Sequence, residues 1–277
     1  MMRGNTGYPG DYHIHPDFSF DSNGSIDDFC RAAIARGLTE ICFTTHYDTD
    51  PVIPERHRTM KIDGNAVPVN IENMKAYVDA VREAHNRYYG MGLMVRCGIE
   101  IGYYEGCEEE TEELFKTYDF HYKLGSVHVV DGIDICNEGA MKNAPQKHTL
   151  DKFADLAFEM LTKSSDSGLF DALGHLDMYK KFGTKYYGDD IGQIHRGRID
   201  RLFESMLRTS TGLEINTSAL RRGHSEYYPS MEIINLARKA GVLITSIGSD
   251  AHRPEEVAYD FDAASAVAYE LMPYCDE

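Results

Sequence analysis

The sequence predicts an α/β fold in which parallel strands alternate with helices and close into a barrel. Three observations predict it. Short apolar runs alternate with helix-patterned segments seven times along the 277 residues, as in a parallel sheet covered by helices. Histidine, aspartate or glutamate stands at the C-terminal end of six of those runs, the face on which a barrel carries its site. A doubly wound sheet would gather such residues at one crevice between two or three strands. Contributions from strands one to five and seven therefore require ends that converge.

The first strand holds Asp11-Tyr12-His13-Ile14-His15. Side chains alternate across a strand, so His13 and His15 point the same way and can grip one ion, while Tyr12 and Ile14 face a packing surface. Asp21 follows six residues later. Ser25 with Asp28 at the third helical position reads as a capping box, and the helix it opens stops at Gly37. Glu40-Ile41-Cys42-Phe43-Thr44-Thr45-His46 is a second strand buried on both faces, ending on histidine. The segment from Tyr47 to Asn70, with prolines at 51, 54 and 68, reads as a long loop over the site.

A helix from about Ile71 to Tyr89 closes at Gly90, and the third strand, Leu93 to Glu100, delivers a carboxylate. An acidic helix around Glu108 to Lys116 leads to the fourth strand, Phe120 to His128. A helix near Leu150 to Lys163 leads to the fifth, Phe170 to Asp177, with Gly174-His175-Leu176-Asp177 at its end. A helix from about Ile191 to Thr209 precedes the sixth, Gly212 to Asn216. A helix at Met231 to Ala240 precedes the seventh, Leu243 to His252, which ends Gly248-Ser249-Asp250-Ala251-His252, and a C-terminal helix covers the end.

Composition narrows the class. With 42% hydrophobic residues, the chain can bury a large core, and it reads as one domain over 1–277 with its core at about 10–270. No run of about 18 apolar residues exists, and the start is polar and Gly-rich, so a soluble cytoplasmic protein without a membrane partner is expected. The six cysteines (30, 42, 97, 107, 136, 275) form no Cys-x-x-Cys pair and read as reduced packing residues. A formal charge of −17 opposes nucleic-acid binding and suits a small substrate, one bearing positive charge among them.

The chemistry-bearing set is His13, His15, Asp21, His46, Glu100, His128, His175, Asp250 and His252. It exceeds what one catalytic zinc takes, typically three protein ligands plus water, and suits a cluster of two or three ions. Imidazole with carboxylate selects zinc, manganese or iron. Taken singly, each residue has a plain alternative: a buried histidine bonded to a carbonyl, or a carboxylate capping the next helix. His57, His85, His121, His148 and His195 fall in loops, on helix faces or at a strand start and read as structural or solvent-exposed.

Asp-x-His-x-His, Thr-His after strand two, Gly-x-Glu after strand three, Gly-Ser-x-His after strand four, Gly-His-Leu-Asp and Gly-Ser-Asp-Ala-His together resemble the polymerase-and-histidinol-phosphatase (PHP) superfamily, from about residue 10 to 252. Phe18-Ser19-Phe20-Asp21-Ser22 and Leu213 to Arg221 are similar to its monofunctional histidinol-phosphate phosphatases. The resemblance implies a distorted, TIM-like (β/α)7 barrel and a trinuclear site. His13, His15 and Asp250 would hold the first ion and Glu100 would bridge to the second. His128 and His175 would complete the second, and His46, His252 and Asp21 would hold the third. A water bridging the first two ions would be acidified to hydroxide and attack a phosphate monoester.

Arg221 is the candidate phosphate contact, because a guanidinium holds two oxygens at once; its other reading is a helix-face arginine in a salt bridge. Lys180, Lys181, Asp177 and His224 are further substrate-contact candidates. The function expected is hydrolysis of L-histidinol phosphate in histidine biosynthesis. The alternatives are a phosphoesterase or nuclease acting on nucleotides or another phosphate ester, which should show a basic groove with stacking aromatics, and a non-catalytic metal-binding module, which should lack ligands.

Overall fold

The computed structural model describes residues 10–270. Seven parallel strands form its centre: β1 (Gly10–Ile14), β2 (Glu40–Phe43), β3 (Met94–Gly102), β4 (Tyr122–Ser126), β5 (Ala172–Leu173), β6 (Gly212–Asn216) and β7 (Ile244–Gly248). They pair in chain order, each beside the next. The sheet nearly closes: just beyond β1 and β7, His15 N donates to Ala251 O at 2.8 Å and Ala251 N to His13 O at 3.3 Å. Convergence of the strand ends is therefore realised.

The helices are α1 (Ile26–Ala35), α2 (Ile71–Tyr89), α3 (Glu108–Thr117), α4 (Glu138–Lys147), α5 (Leu150–Asp166), α6 (Lys180–Tyr187), α7 (Ile199–Thr209), α8 (Ser218–Arg221), α9 (Met231–Ala240) and α10 (Phe261–Glu270). The capping box is present: Ser25 Oγ accepts from Asp28 N and Asp28 Oδ2 from Ser25 N at 2.9 Å. Asn70, Asn137 and Thr149 cap α2, α4 and α5 in the same manner. One apolar core packs α1 and α2 against β1 to β3 through Phe29, Phe43, Tyr77 and Ile99. A second packs α5 and α7 against β5 and β6 through Phe153, Leu202, Leu173 and Leu213.

Several boundaries differ from expectation. The expected fifth strand is two residues long, because His175 turns the chain at φ +24° and the segment to Tyr179 coils inward. Helices α4 and α6 were not expected, and the helix expected from Ile191 divides into a 3-10 turn at Asp189–Gln193 and α7. Within the expected 47–70 loop, strands Thr59–Ile62 and Asn65–Pro68 form a hairpin. Its Asp63-Gly64 turn has φ of +50° and +77°, a mirror-image turn that suits a two-residue connection. Lys61 N donates to Phe18 O at 2.9 Å, so the hairpin is docked beside the site. A short ribbon, Val129–Val130 with Ile133–Asp134, follows β4.

Cys30, Cys42, Cys97 and Cys107 are free and buried, and Cys136 is free and half-buried; Cys275 lies outside the described residues. No helix among them is long and apolar enough to cross a membrane.

Candidate metal centre

The side chains of His13, His15 and Glu100 are fully buried at the mouth of the barrel. Glu100, on β3, is the hub. Its Oε1 lies 2.9 Å from His175 Nε2 and 3.4 Å from both His13 Nε2 and His128 Nε2. Its Oε2 lies 2.9 Å from His46 Nδ1 and 3.4 Å from His15 Nε2. Asp250 Oδ1 reaches His15 Nε2 at 3.4 Å and His252 Nδ1 at 3.5 Å, and Asp21 spans His252 at 3.3 Å and His46 at 3.7 Å. All nine residues of the sequence-derived set thus meet in one place.

Three groups within that set present ligand atoms that all lie within 4.8 Å of one another: His13, His15 and Glu100; His46, Glu100 and His128; His15, His46 and His252. Their membership overlaps the three ion sets implied by the resemblance, with Glu100 shared by the first two. Among the described residues, His13 Nε2, His15 Nε2, His46 Nδ1, His175 Nδ1 and Glu100 Oε2 are buried with no partner in hydrogen-bond geometry, although His46 Nδ1 and Glu100 Oε2 lie 2.9 Å apart. Leaving one such group unpaired costs about 1–3 kcal/mol, and three of the nitrogens, on His13, His15 and His46, converge on Glu100, as in a cation-binding centre whose lone pairs await ions. Imidazole and carboxylate donors fit zinc, manganese or iron.

Charge in the centre reads the same way. Burial pulls the pKa of His13 down, but Glu214 and Glu100 outweigh it and hold the group well above the ordinary imidazole value. Burial of His46 is likewise overcome by Glu100 and Asp21, which push it up to about 9. Burial would raise Glu100, yet His13, His46 and His128 hold it well below the usual carboxylate range. His15 is lowered, by burial and then by His46 and His252. A field that retains protons on imidazoles will bind a divalent cation in their place, with proton release.

Two carboxylates that the sequence reading passed over orient the histidines. Glu214 Oε1 accepts from His13 Nδ1 at 2.7 Å, while its Oε2 accepts from His175 N at 2.8 Å and Asn216 Nδ2 at 3.2 Å. Asp48 Oδ1 lies 3.1 Å from His128 Nδ1. A carboxylate on the far ring nitrogen fixes the tautomer and turns the other nitrogen toward an ion. Each brace has a glycine beside it. A Cβ at Gly248 would collide with Glu214, and one at Gly102 with Asp48. A signal existed for both: Glu214 interrupts an apolar strand, and Asp48 sits two residues beyond His46, on the same side of an extended segment. Asp11, buried, accepts from His13 N, Ser249 N and Ala258 N and so ties β1 to the loop bearing Asp250.

A cavity of about 550 Å³ opens over the centre. Arg221 and Lys181 line it, while Asp177, Lys180 and His224 are not among its lining residues. Lys180, opening α6, turns to Asp177 Oδ2 at 2.5 Å. Asp177 is fully buried and accepts from Ser230 N at 3.0 Å, and the His224 ring packs on Tyr228 at 5.7 Å. Arg221 donates to the carbonyls of Ser249 and Asp250 and lies 3.5 Å from Glu256 Oε2, clamping the loop that carries Asp250. Arg222 and Arg253 also line the cavity. So does His57, which the sequence assigned to the background.

The PHP domain family model matches residues 11–218. A probable histidinol-phosphatase of Deinococcus radiodurans is 26% identical over 251 residues, covering 91% of this chain and 89% of that protein. The histidinol-phosphatase of Lactococcus lactis subsp. lactis is 25% identical over 245 residues, covering 87% and 83%. Among solved structures, the histidinol phosphate phosphatase of Lactococcus lactis subsp. lactis complexed with zinc, L-histidinol and phosphate superposes with a TM-score of 0.76 at 21% identity, covering 95% of this chain and 93% of that one. That likeness establishes the fold. With a match running from the Asp11 strand to the segment after β6, and with the family's barrel around it, the chain belongs to the PHP domain family.

Proposed function

We propose that the protein hydrolyses L-histidinol phosphate to L-histidinol and phosphate, with two or three divalent transition ions held by His13, His15, Asp21, His46, Glu100, His128, His175, Asp250 and His252. The observation that carries the reading is the convergence of three buried imidazole nitrogens, His13 Nε2, His15 Nε2 and His46 Nδ1, on one carboxylate hub, Glu100, beneath a cavity that also holds arginines. Relatives named histidinol-phosphatase over most of their length supply the substrate.

Bound ions would supply an acidified water as nucleophile and positive charge for the phosphoryl oxygens. The chain's own residues do the rest. Glu214 and Asp48 hold His13 and His128 in one tautomer and orientation. Arg222 lines the cavity 4.0 Å from Asp250 Oδ2, a guanidinium placed for an ester phosphate, and Lys181 adds positive charge at the cavity wall. Arg221 keeps Asp250 in place from behind, which is a positioning part.

The test is phosphate release by manganese- or zinc-loaded protein from L-histidinol phosphate, p-nitrophenyl phosphate and a nucleoside monophosphate side by side. A kcat/KM for histidinol phosphate at least about 100-fold above the others is expected. Preference for the nucleotide, or turnover of none, overturns the reading.

A further inference from the structure

We infer that Asp134 is the residue that selects the leaving group, by binding the cationic amine of the alcohol released. The inference rests on the proposed function and adds to it the residue that separates this ester from uncharged ones. The walls of the cavity differ in chemistry. Beside Asp250 and His252 stand Arg222 and Arg253, suited to a phosphoryl group. On the His46 and His128 side stand Phe20, 5.9 Å from the His46 ring, then His57 with Arg56 against its outer nitrogen, and Asp134. A phosphate ester held at the ions with its phosphoryl oxygens toward the arginines directs its alcohol portion to the second wall.

Asp134 is built to present one oxygen there. It ends the ribbon that begins just after His128, and Ile135 N donates to His128 O at 2.9 Å, so the ribbon is tied to an ion-binding residue. Its Oδ1 is engaged by Cys136 N at 2.9 Å, which fixes the side chain. Among the described residues its Oδ2 has one ion-pair contact, His57 Nδ1 at 3.7 Å, too long for a hydrogen bond. The side chain is 11% exposed. A mostly buried carboxylate oxygen without a full partner gains a charge-assisted hydrogen bond when an ammonium arrives. The other carboxylates of the cavity near this wall are committed, Asp48 to His128 and His46 and Asp21 to His46 and His252.

The aromatic pair beside Asp134 matches the rest of the alcohol. Phe20 and His57 stack with centroids 4.6 Å apart at 18°, and Arg56 Nε donates to His57 Nε2 at 3.1 Å, holding the ring in place. A flat aromatic face is a favourable neighbour for a planar imidazole. L-histidinol carries an ammonium on the carbon next to its hydroxymethylene and an imidazole beyond it, so one carboxylate oxygen and one aromatic face are the complement it needs.

The test compares the manganese-loaded wild type with Asp134→Asn, which keeps the Cys136 hydrogen bond, on L-histidinol phosphate and p-nitrophenyl phosphate. For the cationic ester, kcat/KM should fall about 10- to 100-fold, chiefly through KM. For the aryl ester it should stay within about twofold, and Asp134→Glu should recover part of the preference. Equal losses on both esters would mean that Asp134 only positions His128 and would overturn the inference, as would no change on either. L-Histidinol as an inhibitor of aryl phosphate hydrolysis separates this from the function itself. If the wild type is inert on histidinol phosphate, the proposed function fails. Inhibition by L-histidinol that Asp134→Asn abolishes would still uphold the selecting role, and absence of inhibition in the wild type would remove it.

Discussion

The floor and the rim of the metal centre use the same residue types and are built differently. At the floor, His13 on β1, His15 directly after it and Glu100 on β3 are wholly buried. Each has a support: Glu214 for His13, Ser19 Oγ at 3.3 Å from His15 Nδ1, and Ser126 Oγ donating to Glu100 at 2.6 Å. At the rim, His252 and Asp21 come from irregular segments, with side chains 19% and 38% exposed; Asp21 is held by His252 and His46, and His252 Nδ1 also lies 3.0 Å from Asp250 O. Strand-borne ligands keep their geometry when the ion leaves, because the barrel holds the backbone. Ligands on irregular segments depend on the ion to order them. The floor should therefore bind its ions tightly and the rim should exchange.

The largest break in that contrast is Glu100→Gln, which removes the hub shared by the His13–His15 group and the His46–His128 group. Activity should fall about 1,000-fold or more, since the ions contribute several kcal/mol, and elemental analysis should find the floor ions lost. Retention of full metal content would refute the hub assignment. Next comes Glu214→Gln, where the loss of a carboxylate brace should lower metal affinity or activity about 10- to 100-fold, read by titration with a competing chelator. Asp48→Asn should act in the same direction but less strongly, because it braces a ligand nearer the rim. An unchanged affinity in both variants would remove the part given to the braces.

Asp21→Asn should affect the rim alone: one ion equivalent lost and activity reduced by less than about tenfold. Loss of all ions would show that the two regions are not separable. The smallest effect is on the metal-free protein. His46 has a folded pKa of about 9 against an ordinary 6.5, so its stabilisation is full below about 6.5 and lost as pH rises through 9. Glu100, held below its ordinary 4.5, contributes above that value and loses its part in acid. Thermal melts of the chelated protein should thus peak in mildly acidic buffer and drop by a few degrees toward pH 9. The metal-loaded protein, its imidazoles already deprotonated, should not show the alkaline drop.

Much of this was legible from residues in order. The strand pattern, the His13-x-His15 spacing and the recurrence of ligands at strand ends all follow from local periodicity, so β1, β3, β6 and β7 and the nine-residue set were recoverable. Helices α4 and α6 were not. α4 contains Pro145, which reads as a helix breaker, and α6 opens after a buried turn with no side-chain cap to announce it.

By itself, the chain's sequence determined which side chains face the barrel mouth, because alternation and strand polarity are properties of consecutive residues. Only the tertiary structure decided which of them have partners. Glu214 braces a histidine 201 residues away and Asp48 one 80 residues away. Lys180 is drawn off to Asp177, and His57 is carried into the cavity by the 3-10 turn Glu55–Arg58 that leads into the docked hairpin. Hydrogen bonding and burial depend on distance in space, and no spacing along the chain encodes that until the barrel has closed.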